Sequence, residues 1–354
     1  MAPRRDHPDL LIVGGGPAGG SAAITAASRG LWVVLVERDG SATERPGESL
    51  HPGIEPLLGQ FGLAGRLGTV VGARHPGVWI TWNGSARFEP FGSDAGGAWR
   101  GFQVRRTALH GLLLARAAEL GAEIRQPARV TGANRSPDGF WDVETDAGAL
   151  RCRMLVDASG DARWLDRRLS GPLTPRSPRL LARFGHAEGS CPARDEAPAL
   201  ESLPDGWLWT ARVGPDRYAW VRLAVGGEPG RETPAAFAAL RPSGPSRGAD
   251  VTWHLAERPA GPGWFLVGDA AARLDPLSSH GVLKAIMSGM MAAHFAAAIL
   301  QEGAAPEAAE AQYRSWLHGW FEADAERLAG FYRQLGLAEF GPLGSTLSVT
   351  PELV

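Results

Sequence analysis

Two apolar runs near the start of the chain, Leu10-Leu11-Ile12-Val13 and Leu31-Trp32-Val33-Val34-Leu35-Val36, show no alternation with polar residues. A strand wet on one face alternates, so these runs predict parallel strands covered on both faces. The small residues from Gly14 to Ala27 between them predict a tight turn and a closely packed helix. Leu109, Leu112, Leu113 and Ala117 recur near helical spacing and predict an amphipathic helix over 107–120. Residues 38–52 read as loop. A β-rich stretch over 122–157 is broken at Ser136-Pro137-Asp138-Gly139, a hairpin signal, and ends in Met154-Leu155-Val156.

From about 175 to 257 the pattern changes to strands separated by polar, Pro/Gly-rich loops: Leu180–Glu188, Trp207–Val213, Tyr218–Val225 and Val251–Ala256. A strand over Trp264–Val267 then returns to Gly268, and helices fill the chain to about 335. The most apolar long segment, Gly281 to Leu300, carries Lys284, Ser288, Gly289 and His294, which suits a buried helix better than a membrane span. These patterns predict an α/β fold with a discontinuous first domain over 1–73, 103–174 and 258–304. A β-sheet substrate domain takes 74–102 and 175–257, and residues 305–354 form a C-terminal helical segment.

Gly14-x-Gly16-x-x-Gly19 follows directly on the first strand and opens the first helix. The spacing serves a dinucleotide: the first glycine allows the turn, the second lets a pyrophosphate approach the backbone, and the third permits helix–strand packing. Glu37, at the end of the second strand, can accept from both ribose hydroxyls. A merely glycine-rich turn does not account for Glu37. No second such motif sits between a strand and a helix, because Gly226-Gly227-Glu228-Pro229-Gly230 leads into none. A dedicated nicotinamide domain is therefore not expected.

Composition narrows the partners. With a net charge of −2 the chain lacks the field that attracts nucleic acid or anionic lipid. Two cysteines, Cys152 and Cys191, are too few for a disulfide framework or a CxxC metal site, and suit reduced thiols in the cytoplasm. No metal site is expected. The basic start, Met1-Ala2-Pro3-Arg4-Arg5, is followed by too short an apolar run for a signal peptide. Of 36 basic residues only Lys284 is lysine.

Four further segments carry a family resemblance. Val104-Arg105-Arg106-Thr107-Ala108-Leu109, Leu155-Val156-Asp157-Ala158-Ser159-Gly160, Gly268-Asp269-Ala270-Ala271 and Asp275-Pro276 through Gly281 resemble, in order, motifs of glutathione-reductase-type FAD monooxygenases. The resemblance implies a Rossmann-like FAD-binding domain with an inserted substrate sheet. It implies FAD contacts at Gly14, Gly16, Pro17, Ala18, Gly19, Glu37, Arg38, Arg45, Ser49, Arg106, Val130, Asp157 and Gly160. A second group comprises Gly268, Asp269, Pro276, Ser279, Gly281 and Val282, where helix-entry amides would face the N1–C2=O region of the ring and stabilise charge there.

Gly47-Glu48-Ser49-Leu50 resembles a segment of flavin-dependent halogenases, and Gly206-Trp207-Leu208-Trp209-Thr210-Ala211-Arg212 resembles their W-x-W-x-I-P motif, with Ala211 and Arg212 replacing the last two residues. Those halogenases use a lysine on the substrate side, where this chain has Arg74 and His75. An arginine stays protonated and does not replace it. The pattern most resembles halogenase-like flavoproteins that hydroxylate peptide- or protein-bound tryptophan during quinone cofactor biogenesis. The resemblance implies oxygen transfer from a flavin C4a-hydroperoxide, using O2 and electrons from NAD(P)H or from a partner flavin reductase.

The implied substrate is an aromatic ring, indole above all, free or within a peptide or protein. Glu48, His51 and His280 are the candidate catalytic groups, with Asp275 close to the same edge. Of thirteen tryptophans, Trp79, Trp82, Trp207, Trp209, Trp220 and Trp253 fall on expected strands that can wall a pocket. Three other readings stand beside hydroxylation: a halogenase, a reductase or dehydrogenase of the same fold, and an FAD-bound scaffold without turnover.

Overall fold

The computed structural model describes residues 6–40, 49–170 and 174–341. Its central sheet runs Glu123–Arg125, Val33–Val36, Leu10–Val13, Met154–Asp157, Trp264–Leu266, Ala260–Gly261. The first five strands are parallel and the last turns back antiparallel. All four positions of Leu10–Val13, Val33–Val36 and Met154–Asp157 are buried, as their unalternated runs require.

Because successive side chains leave a strand on opposite faces, this sheet feeds two cores. Leu10, Ile12, Val33, Leu35 and Val156 pack with helices Pro17–Ser28, Arg106–Glu119 and Gly281–Gln301. Leu11, Val13, Val34, Val36 and Leu155 pack with a second sheet and with the long C-terminal helix Pro306–Gln334. Each such apolar side chain, fully buried, contributes about 1.5–3 kcal/mol. Helix Gly281–Gln301 is long and apolar enough to cross a membrane, yet Ile286, Ala292, Ala293 and Ala296 are buried in the first core. Ser21 Oγ donates to Ile286 O at 3.1 Å and ties that helix to Pro17–Ser28.

The second sheet has the order Arg241–Pro242, Leu180–Glu188, Arg217–Val225, Gly206–Gly214, Ala199–Leu203, Gly77–Trp82, Ser85–Pro90, with Arg247–Asp250 also pairing Leu180–Glu188. Only Ala199–Leu203 with Gly77–Trp82 is parallel. One face of this sheet closes over the carboxyl ends of the central strands, where ligands of doubly wound sheets bind.

Two expectations need correction. Residues 38–52 are not all loop, since Ser49–Leu50 pairs antiparallel with Phe102 and Gln103. The strand expected over Val251–Ala256 shrinks to His254–Leu255, paired with Ala272–Arg273. Trp253 lies just outside it because its indole is drawn to Asp275, as described below.

Candidate active site

The first strand ends in a turn whose backbone closes one end of a cavity of about 1290 Å³. Gly14 has φ +110°, and a Cβ there would sit 2.4 Å from Ala158 O. A Cβ on Gly19 would lie 1.9 Å from Gly14 O, so this glycine sets the approach of helix to strand. Over Gly16 there is open space. The helix that starts at Pro17 has no side-chain cap and no acidic residue in its first turn, so its free amides and dipole offer a site to an anion. Glu37 is fixed rather than loose. Its Oε2 accepts from Gly15 N at 2.6 Å and its Oε1 from Asp39 N at 2.9 Å. Each oxygen keeps a lone pair for a ligand hydroxyl.

Gly14, Gly16, Pro17, Ala18, Glu37, Arg38, Ser49, Arg106, Val130 and Gly160 line this cavity, as do Gly268, Asp269, Pro276, Ser279, Gly281 and Val282. Gly19 and Asp157 do not. Asp157 is fully buried, and its carboxylate accepts from Ser159 N at 2.9 Å and Leu165 N at 2.8 Å, so it shapes the turn instead of meeting a ligand. Burial raises its pKa. Arg45 and Glu48 lie outside the described residues.

Sequence reasoning missed several groups here. Trp164 and Arg168 line the cavity together, with the guanidinium 4.1 Å from the indole centroid. His254 is buried and its Nε2–H donates to Asp269 O at 2.7 Å, which holds the Gly268-Asp269 turn. Burial lowers its pKa to about 4, so it is neutral. No local pattern marks either feature, because each depends on a turn met only in the fold.

The far half of the cavity is an apolar chamber under the second sheet. Ile80, Phe184, Leu200, Trp207, Trp209 and Val221 come from that sheet, and Leu328 and Phe331 from the C-terminal helix. Of the tryptophans expected to form its wall, only Trp207 and Trp209 do. Trp79 is 46% exposed, while Trp82, Trp220 and Trp253 are buried elsewhere. Strand alternation sends Trp79 to the face opposite Ile80, whereas Trp82 shares the face of Ile80 but sits at the strand's end, packed edge-on against Phe331 at 6.0 Å. Arg327, Leu328 and Phe331 fall on one helical face with Asp324. Nothing in the sequence says what that face meets.

Polar groups gather where cradle and chamber meet. The rings of His51 and His280 lie 5.5 Å apart, edge to face, and both line the cavity. His51 Nδ1 accepts from Gly53 N at 3.0 Å, so the neutral ring carries its proton on Nε2. Burial, then the neighbouring His280, lowers its pKa. His280 Nδ1 is 3.6 Å from Asp324 Oδ2 and 3.4 Å from Arg327. Asp324 also meets Arg327 at 3.0 Å and Lys284 at 3.8 Å. Burial opposes its charge, but His280, Lys284 and Arg327 together hold its pKa low.

His75 donates from Nδ1 to Gly77 O at 3.0 Å and accepts at Nε2 from Gln103, which also reaches Ser49. Burial lowers its pKa to about 4. Arg74 is occupied by Glu55 through two bonds of 3.0 and 2.9 Å. Lys284 does not line the cavity. It borders a recess of about 20 Å³ that shares Asp269 and His280 with the cavity wall, together with Trp320, whose ring centroid is 4.7 Å from its ammonium.

A glycine turn at a parallel-sheet switch, a fixed acidic residue and a helix entry at the far strand define a dinucleotide-binding α/β protein. Residues 8–174 match the family of FAD binding domains. The chain is 28% identical over 384 residues to flavin-dependent halogenase armH3 of Armillaria mellea, across 94% of this chain and 75% of that relative. Among solved structures, the flavin-dependent halogenase CmlS shares the fold with a TM-score of 0.83 at 22% identity, over 96% of this chain and 67% of that one. The peptidyl tryptophan dihydroxylase QhpG does so with a TM-score of 0.75 at 22% identity, over 98% and 82%. The chain is thus similar in sequence to flavin-dependent halogenases and shares their fold, with an FAD-binding domain over its first half. The cradle fits FAD, with open space over Gly16 before uncapped helix amides and a cavity larger than the roughly 300–1,000 Å³ of one ordinary ligand.

Proposed function

We propose that this enzyme hydroxylates an electron-rich aromatic ring, indole or phenol, held in the chamber beside its FAD. The observation that supports this most is an aromatic-walled chamber, continuous with the cradle, that no lysine lines. The chain's single lysine is engaged by Asp324 and Trp320 in the adjoining recess. Bound FAD, reduced by NAD(P)H or by a partner reductase, supplies an electrophilic oxygen from O2. The rest of the work belongs to the chain. Trp207, Trp209, Phe184 and Phe331 exclude water and stack the ring.

Transfer of oxygen to a ring carbon releases the proton that the carbon carried. His280, backed by Asp324, takes that proton, and His51 offers its Nε2–H as a hydrogen-bond donor. Exposed Arg247 and Gly248 belong to the cavity wall, so the chamber meets solvent where a free metabolite or a peptide loop can enter. Buried, unpaired Cys152 and Cys191 suit a reducing cytoplasm.

Likeness to armH3 supports halogenation of the same ring as a second reading. Halide dependence separates the two. Substrate turnover in halide-free buffer, at the rate seen with chloride or bromide present, supports hydroxylation, whereas turnover only with halide supports the second reading.

A further inference from the structure

Asp275 is fully buried, and its carboxylate joins segments far apart in the chain. Its Oδ1 accepts from Leu277 N at 2.9 Å, the ordinary duty of a residue that caps a short turn. Its Oδ2 does more, accepting from the indole N–H of Trp253 at 2.7 Å. The Tyr332 hydroxyl lies near this carboxylate, and its ring packs against Trp253 at 6.3 Å. That hydroxyl accepts from the Trp207 indole N–H at 3.0 Å, which carries the cluster on to the chamber wall. Phe340 stacks on Tyr332 at 4.3 Å and packs against Trp253 at 5.4 Å, closing the cluster to water. Asp275 and Trp207 line the cavity, whereas Trp253 and Tyr332 do not.

We propose that Asp275 is a positioning residue: through Trp253, Tyr332 and Trp207 it fixes the turn from Pro276 to Gly281 against the chamber wall, and so sets the surroundings of the bound flavin from the C-terminal helix. Turn capping alone needs one carboxylate oxygen and one backbone amide. The Trp253 indole on the same carboxylate exceeds that need, and Tyr332, packed on Trp253 at 6.3 Å, extends the cluster to the C-terminal helix. The proposal rests on FAD occupying the cradle and on no assumption about the product.

The test uses FAD-loaded protein without substrate. Y332F removes one oxygen outside the cavity wall, and D275N puts an amide N–H where the carboxylate now accepts. Both variants are expected to shift the visible circular dichroism of bound FAD and its midpoint potential. D275N is expected to raise the FAD dissociation constant roughly tenfold, the loss of one hydrogen bond to a charged group. The double variant should add little to D275N alone. If Y332F and D275N keep the wild-type flavin spectrum and potential while only lowering the thermal midpoint, Asp275 is an ordinary core residue and the proposal is wrong. Should D275N fail to fold, Y332F and W253F decide in the same way, and an unchanged flavin signature in both overturns it.

Discussion

The two ends of the cavity are built on different principles. The cradle end comes from one continuous stretch, 10–37, and holds its ligand with backbone amides, a helix terminus and one carboxylate locked by two amides. The chamber end draws Trp207 and Phe184 from the second sheet, His280 from the turn before helix Gly281–Gln301, and Arg327 and Phe331 from the C-terminal helix. Backbone groups from one local segment build the cradle, and side chains collected over long distances build the chamber.

The same contrast separates two carboxylates, Asp157 and Asp275. Both are fully buried with raised pKa values. Asp157 is satisfied by two backbone amides close by in sequence. Asp275 has one backbone amide close by, Leu277 N, and takes its other bond from a side chain 22 residues away.

The largest break in this contrast is expected from Trp207→Ala. It empties a 1% exposed site that joins the sheet to Tyr332, and should lower the unfolding free energy by about 3–5 kcal/mol in urea titrations. A second effect depends on pH. Burial, offset only in part by Trp253, Leu277 and Tyr332, raises the Asp275 pKa to about 6 from 3.8. The folded state therefore binds this proton more tightly than the unfolded chain. Its contribution is greatest below pH about 4 and is lost as pH rises to about 6, a change on the order of 3 kcal/mol. The amide that D275N introduces does not titrate, so the stability of wild type relative to D275N should fall across that range and level off above it.

At the cradle, Gly19→Ala places a methyl against Gly14 O. A cost of about 1–3 kcal/mol should appear as weaker FAD affinity, read by quenching of FAD fluorescence on titration with apoprotein. The smallest change is expected from Lys284→Met. An ion pair of this kind is worth at most about 1 kcal/mol, and the variant should keep both its thermal midpoint and its oxygenated product. Loss of product in this variant would blur the boundary drawn between chamber and recess.

Legibility in the sequence follows the same division. Gly14, Gly16 and Glu37 announce themselves because a dinucleotide turn is a local object with fixed spacing, and the parallel sheet shows in unalternated runs. Asp157 misleads because an aspartate after a strand fits a turn as well as a ligand, and only its two amide partners decide. The tryptophans mislead because composition does not reveal which face of a strand is inward: Trp207 and Trp209 reach the chamber, whereas Trp79 is exposed. Asp324, Arg327 and Phe331 are not singled out in the sequence, since the contact from helix Pro306–Gln334 to His280 spans 44 residues or more and no local pattern announces it.

The chamber is proposed to transfer oxygen to a ring, with Lys284 outside it carrying no halogen. The most direct test of that transfer supplies FAD-loaded enzyme with a reductant, isotopically heavy O2, chloride and bromide, and a panel of indoles, phenols and tryptophan peptides. The expected product carries one heavy oxygen atom from the gas and no halogen. A product with a chlorine or bromine isotope pattern and no heavy oxygen would contradict oxygen transfer.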